Sequence, residues 1–112
     1  MNNVVVDLRA LHRNRSDQPS YHLASEDHLR IQVFNLFDKE KLGDWICEGN
    51  ALITVIGGEV VVSVDGKPER VSELCQAVIP TGRPFRVTAE NGSATVQIVW
   101  TPPFAKINDI NA

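Results

Sequence analysis

Hydrophobic and polar residues alternate along the middle of the chain with the two-residue period of β-strands. The clearest segment starts at Leu29, and its two faces carry Leu29, Ile31 and Val33 on one side and Arg30, Gln32 and Phe34 on the other. The run Val60-Val61-Val62 is apolar on both faces, as expected for a strand inside a barrel or sandwich. The one weak helix candidate is short, at residues 36–42. The pattern therefore predicts an all-β domain.

Three dipeptides interrupt this pattern within 36 residues: Gly57-Gly58, Asp65-Gly66 and Asn91-Gly92. Each is flanked by β-branched residues, and such dipeptides suit hairpin turns that need positive φ. Short strands and frequent turns favour a closed jelly roll. A five-stranded barrel of the type that binds oligosaccharides or nucleotides is the alternative, and the lack of a basic groove counts against it.

The chain divides into three predicted stretches. Residues 1–28 form an irregular arm, residues 29–104 the barrel and residues 105–112 a C-terminal tail. Within the arm, His12 to Ser20 is predicted to be a loop because Asp17, Pro19 and Ser20 favour turns. The segment Val4-Val5-Val6 is a candidate edge strand or subunit-exchange element.

Composition limits the classes of function. The 112 residues are 43% hydrophobic and 22% charged, which is typical of one globular domain. No stretch approaches the roughly 20 apolar residues of a membrane helix, and no secretion signal is visible, so a cytoplasmic location is expected. The net charge of −3 argues against a nucleic-acid partner. The arm contains a loose group of basic residues, namely Arg9, His12, Arg13 and Arg15. A solvated surface explains this group better than a phosphate-binding site does.

Residues 45–101 resemble the cupin family in the order of their features. Gly57-Gly58 is similar to the glycine that closes the family's first motif, and Val64 to Lys67 to the hairpin that follows. Pro80-Thr81-Gly82 is similar to the start of the second motif. The resemblance implies a single cupin-type jelly-roll barrel and, because small cupins commonly pair, a homodimer.

The resemblance places the family's metal ligands at positions where this chain carries Trp45, Cys47, Ala51 and Phe85. Only the thiol of Cys47 is a metal donor, whereas a metal site needs about three or four. We therefore expect no metal and no cofactor. The alternative is a displaced site in which nearby side chains approach Cys47; the candidates are His22, His28, Asp44 and Glu48. The chain has a second cysteine, Cys75, and both are expected to remain reduced.

No catalytic residue is predicted. All three histidines precede the first predicted strand, so Ser63 and Ser93 have no neighbouring histidine that could act as a base. Asp44, Glu48 and Glu59 lie beside turns, where carboxylates are usually solvated.

Alternation and the resemblance together predict which side chains line the barrel interior: Trp45, Cys47, Ala51, Ile53, Phe85, Val87 and Trp100. They form either a filled core or a cavity for a small apolar or aromatic ligand, and Ala51 leaves space where the family has a glutamate. The sequence does not decide which face of the sheet Arg30, Gln32 and Gln97 occupy. An inward Arg30 would imply a partner or a ligand.

The leading hypothesis is a metal-free, cupin-like protein that binds a small molecule or serves as a sensing or accessory module without catalysis. One alternative is an enzyme, either an isomerase or epimerase or a metal enzyme with displaced ligands. The other is a structural domain for protein interaction.

Overall fold

Two antiparallel five-stranded sheets pack face to face in the computed structural model, which describes residues 5–14, 16–26, 29–102 and 105–110. Sheet A has the strand order β1-β2-β9-β4-β7 and sheet B the order β10-β3-β8-β5-β6. The strands are β1 (Ser20–Glu26), β2 (Leu29–Leu36), β3 (Lys41–Cys47), β4 (Asn50–Gly57), β5 (Glu59–Val64), β6 (Lys67–Ser72), β7 (Gln76–Ile79), β8 (Phe85–Thr88), β9 (Ala94–Thr101) and β10 (Ile107–Asp109). The predicted all-β jelly roll is confirmed.

Strand register fixes which side chains face the core. In sheet A, Ala51 lies opposite Trp100 and Ile53 lies opposite Ile98, and all four are buried. In sheet B, Val62 lies opposite Val87 and both are buried. Because residues directly opposite each other share a face of the sheet, these pairs define the inner surfaces of both sheets.

Only one of the three predicted hairpin dipeptides makes a hairpin. Asp65-Gly66 joins β5 to its neighbour β6, with positive φ at both residues. Gly57-Gly58 instead joins β4 of sheet A to β5 of sheet B, and Asn91-Gly92 joins β8 of sheet B to β9 of sheet A. The hairpin prediction is wrong for these two, because a left-handed glycine serves a crossing between sheets as well as a hairpin.

Regular structure extends beyond the predicted barrel. Helix α1 (Leu8–Arg13) occupies the start of the segment predicted as a loop, so that prediction is wrong for His12 and Arg13. The missed signal is Asp7, whose carboxylate accepts hydrogen bonds from the first-turn backbone N–H groups of Arg9 and Ala10. Strand β1 forms the edge of sheet A, and β10 forms an edge of sheet B.

Two further predictions concern local structure. Residues 36–42 are not a helix: β2 ends at Leu36, a short turn follows, and β3 begins at Lys41. Val5 and Val6 are not in a strand, while Val4, Arg15 and His28 lie outside the described residues. No helix among the described residues has the length and apolarity needed to cross a membrane.

A buried polar chain attaches α1 to the outer face of sheet A. The hydroxyl of Thr95 donates to Asn35 Oδ1 at 2.7 Å, and His12 Nδ1 lies 2.6 Å from the same hydroxyl oxygen. Because the hydroxyl proton goes to Asn35, His12 must donate from Nδ1. The imidazole lies against Gly57, where an added Cβ would come within 2.5 Å of the ring. Gly57 therefore provides the space in which α1 docks.

Candidate functional site

The structure brings the seven predicted interior residues into one core. Cys47, Ala51, Ile53, Phe85, Val87 and Trp100 are all buried, and Trp45 is half-buried and packs against them. The interior is densely occupied at this point. We call the end of the barrel that carries Trp45, Phe85 and Trp100 the aromatic end.

Four rings meet at the aromatic end. The centroid of Trp45 lies 6.2 Å from Phe85, 6.0 Å from Trp100 and 6.0 Å from Phe34. The rings are tilted or edge-to-face, which are favourable geometries for aromatic pairs. Phe34 was not among the predicted interior residues, although its position two residues after Gln32 on β2 would have placed both on one face.

The strand connections around Cys47 are tight. The backbone N–H of Gly49 lies 3.3 Å from the sulfur of Cys47, and an added Cβ at Gly49 would clash with the carbonyl oxygen of Thr101 at 2.1 Å. The N–H of Gly82 donates to the carbonyl oxygen of Cys47 at 3.0 Å. The turn Pro80-Thr81-Gly82 thus fixes the position of Phe85 relative to the end of β3.

A polar pair lies inside the barrel beside the rings. Gln32 is buried on the inner face, opposite Ile98, and its Oε1 accepts a 2.7 Å hydrogen bond from the indole N–H of Trp100. This bond orients the amide, so that Nε2 points toward the exposed His22, 3.4 Å away. Gln97, in contrast, lies opposite Val33 on the outer face.

Arg30 also faces inward. It lies opposite Trp100 in the register of β2 and β9, and its guanidinium carbon is 5.7 Å from the centroid of the Trp100 ring. This distance is within the range of a cation–π interaction. Among the side chains that the structure describes, which exclude those of residues 24–28, no ion pair includes Arg30. The aromatic end therefore combines apolar walls with one cation, one amide and one imidazole.

These residues do not fit the metal site that the resemblance implies. The four ligand positions offer only the Cys47 sulfur, which is already close to the N–H of Gly49. The described residues contain no group of three or more His, Cys, Asp or Glu side chains that could hold a metal ion.

The three predicted displaced donors that the structure describes have other partners. Asp44 pairs with Arg86 through two hydrogen bonds of 3.0 and 2.9 Å, and this interaction raises the pKa of Arg86. Glu48 is exposed, with Asn108 at 3.4 Å, and His22 contacts Gln32 rather than Cys47.

Glu59 is engaged at the outer surface. Its carboxylate accepts hydrogen bonds from Asn91 and Arg70, which together lower its pKa. Ser63 lies opposite Arg86 on β5, and Ser93 lies in the connection between β8 and β9. None of these positions places an acid, a base or a nucleophile at the aromatic end.

The cavities found among the described residues lie elsewhere on the molecule. A groove of about 560 Å³ separates β6 from β7, with an apolar floor that includes Val62, Ala77 and Ile79. A cavity of about 660 Å³ lies between α1 and the connection that contains Leu74. The two cysteines form no disulfide: Cys47 is buried, and Cys75 is exposed at the groove.

Solved structures with similar folds include both small proteins and parts of larger ones. A cupin 2 conserved barrel domain protein from Leptotrichia buccalis is 32% identical, with a TM-score of 0.67, over 72% of this chain and 39% of that one. A conserved protein of unknown function from Streptococcus pyogenes is 27% identical, with a TM-score of 0.73, over 91% of each chain. No protein-family model and no curated protein sequence matches the chain.

A third similar structure is an enzyme. Salicylate 1,2-dioxygenase from Pseudoaminobacter salicylatoxidans, in an adduct with gentisate, is 14% identical with a TM-score of 0.75. The match covers 94% of this chain but 34% of the dioxygenase, so it shows a shared fold alone. The chain thus spans well under half the length of the Leptotrichia protein and about a third of the dioxygenase.

Proposed function

The chain has the fold of the cupin superfamily, and on this basis we propose that it binds a small aromatic molecule at the aromatic end of its barrel without transforming it. The observation that carries the proposal is the replacement of four ligand positions by Trp45, Cys47, Ala51 and Phe85, which turns a polar centre into an aromatic-walled one.

The half-buried Trp45 gives the ligand access to the rings. Ala51 lies directly across from Trp100, and it places only a methyl group beside the indole ring. A small aromatic molecule that displaces part of this packing would exchange ring contacts within the protein for ring contacts with the ligand. A role as a sensing or accessory module is part of this proposal, and it is supported by the described residues at the aromatic end, which include no acid–base pair and no metal donor set.

The test is isothermal titration calorimetry with 2-naphthol, a neutral aromatic probe. We expect saturable binding with one site per chain. Ala51→Leu should weaken binding by about tenfold or more because the added branches take the volume beside Trp100 that the ligand would enter by displacing packed rings, whereas Ala94→Leu is the matched control. Ala94 is also a buried, inward-facing alanine of sheet A, but at the far end of β9.

Two results would contradict the proposal. One is equal loss of binding in the two leucine variants, which would indicate general overpacking rather than a site at Ala51. The other is one tightly bound transition metal per purified chain that is lost in Cys47→Ser, which would restore the hypothesis of a metal enzyme with displaced ligands.

We also propose a homodimer, and a specific surface supports it. Four aliphatic residues form a row at one level across the outer face of sheet A: Ile31, Val99, Leu52 and Val78. Val78 is 69% exposed. An outward-facing row in an antiparallel sheet is usually polar, and a two-fold axis through this row would place it against its own copy.

The mass of the protein in solution tests this surface. Leu52→Glu should convert a dimer to the 12.4 kDa single chain in light scattering after size exclusion, whereas Thr54→Glu, on the same strand and face, should not. A wild-type protein that is monomeric at high concentration would refute the dimer.

A further inference from the structure

The orientation of the Arg30 side chain defines the chemistry that it can offer. Its guanidinium carbon lies 5.7 Å from the centroid of Trp100, over the face of the indole ring. The guanidinium donates to no other side chain that the structure describes, so N–H groups along its edge are available to a ligand. Those edge donors match the two oxygens of a carboxylate in a bidentate pair.

Two neighbours of Arg30 are oriented by contacts of their own. The indole N–H of Trp100 donates a hydrogen bond to the side-chain oxygen of Gln32. The Gln32 amide nitrogen therefore faces His22. In this arrangement His22 accepts at Nε2, so that its ring proton is on Nδ1. Gln32 is buried and His22 exposed, which gives a short polar path from the barrel interior to solvent beside Arg30.

A comparison with Arg86 shows what Arg30 lacks. Both arginines are half-buried on strands, one at the inner face of sheet A and the other opposite Ser63 in sheet B. Arg86 makes two hydrogen bonds to the carboxylate of Asp44. Arg30 has no carboxylate partner among the side chains that the structure describes, which do not include those of residues 24–28. A partly desolvated guanidinium without a counter-ion is costly, and an anionic ligand would remove that cost.

We propose that the aromatic ligand carries a carboxylate and that Arg30 binds it, with the ring of the ligand against Trp45. This inference rests on the proposed function and specifies its ligand class as small aromatic carboxylates. The guanidinium keeps its cation–π contact with Trp100 while its edge pairs with the ligand, so the indole positions Arg30 for binding. A neutral amide of the same shape offers one oxygen and no charge, and it binds more weakly.

Calorimetric titration with 2-naphthoate and 2-naphthamide tests the inference, because the two probes have the same ring system. Wild-type protein should bind the carboxylate about tenfold or more tightly than the amide. Arg30→Gln should abolish this preference while amide binding persists. Arg30→Lys should keep part of it, because an ammonium supplies charge without the bidentate geometry.

Arg83→Gln is the matched control. Arg83 is an exposed arginine that already pairs with the carboxylate of Asp65, so its loss should leave the preference unchanged. Circular dichroism and thermal melting establish that each variant is folded.

The outcomes separate the inference from the proposed function. Equal binding of the two probes by wild-type protein, or a preference that survives in Arg30→Gln, would overturn the carboxylate inference and leave aromatic binding intact. Absence of binding for both probes and for 2-naphthol would overturn the proposed function itself.

Discussion

Strand β2 carries two buried polar residues on opposite faces, and their surroundings differ in one respect. On the outer face, Asn35 belongs to a chain that runs through Thr95 to His12, and its amide nitrogen donates to the backbone oxygen of Gln18. On the inner face, Gln32 joins Trp100 to an exposed histidine beside an arginine that has no described carboxylate partner. The outer chain of hydrogen bonds is made entirely by groups of the protein, whereas the inner chain of hydrogen bonds ends at a histidine exposed to solvent.

These two hydrogen-bonded chains separate structural from functional polar groups in this fold. Buried polar atoms whose partners all belong to the protein hold elements together, here α1 on sheet A. Polar atoms that lead from a buried aromatic wall to solvent remain able to bind something else. This comparison predicts that changes in the outer chain affect stability most, whereas changes in the inner chain affect the position of Trp100.

The largest expected effect is that of Thr95→Val. Valine removes the hydroxyl that satisfies both His12 and Asn35, so we expect the free energy of unfolding to fall by about 1 to 3 kcal/mol. Urea unfolding followed by circular dichroism measures this loss. Thr54→Val is the control, since Thr54 accepts only an exposed hydrogen bond from Gln76 and should cost less than about 0.5 kcal/mol. Equal losses in the two variants would show that the outer chain does not anchor α1.

A smaller effect is expected for Gln32→Leu. The indole N–H of Trp100 loses its acceptor, but water can reach this end of the barrel and replace part of the bond, so we expect a loss of about 1 kcal/mol. His22→Ala removes only the exposed end of the inner chain and should cost less than about 0.5 kcal/mol. Tryptophan fluorescence during urea unfolding measures both. If His22→Ala proved the more destabilising, the inner chain would be as closed as the outer one.

The smallest effect concerns an exposed group and its pH dependence. Hydrogen bonds from Asn91 and Arg70 lower the pKa of Glu59, so the folded state favours its carboxylate. This contribution to stability is present above the ordinary glutamate pKa of about 4.3 and is lost as the pH falls through the lower folded value. In Glu59→Gln, melting temperature should therefore decrease less between about pH 5 and pH 3 than in wild type.

Glu69→Gln is the control for this measurement, because Glu69 is an exposed carboxylate on the neighbouring strand and takes part in none of the described ion pairs. The prediction would be contradicted if the melting temperatures of the wild-type and Glu59→Gln proteins fell by the same amount over this pH range.

Much of the barrel could be predicted from local sequence, and the pairing of its strands could not. Alternation located β2, and Asp65-Gly66 located the β5–β6 hairpin, because both signals act over a few residues. Gly57-Gly58 and Asn91-Gly92 looked the same locally, yet they cross between sheets, since which strands pair depends on the whole core. Helix α1 had a local signal in its N-cap Asp7, but its position on sheet A could not be predicted, because Asn35, Thr95 and Gly57, which hold it, are distant in the sequence.

The candidate site shows the same division. The positions of Trp45, Cys47, Ala51 and Phe85 followed from motif spacing, and the structure brings them together. The faces of Arg30 and Gln32 could not be predicted, because alternation gives two faces without saying which one is inside. Their register with Trp100 and Ile98 supplied the answer.

The position of β9 has a consequence for synthesis of the protein. This strand is the central one of sheet A, between β2 and β4, yet it is the ninth of the ten strands that the structure describes. Until residue 101 is available, β2 and β4 have no strand between them and expose their long edges. Assembly of the sheet that carries Arg30 and Trp100 therefore waits for the synthesis of β9, and a chain stalled before β9 would be prone to aggregation.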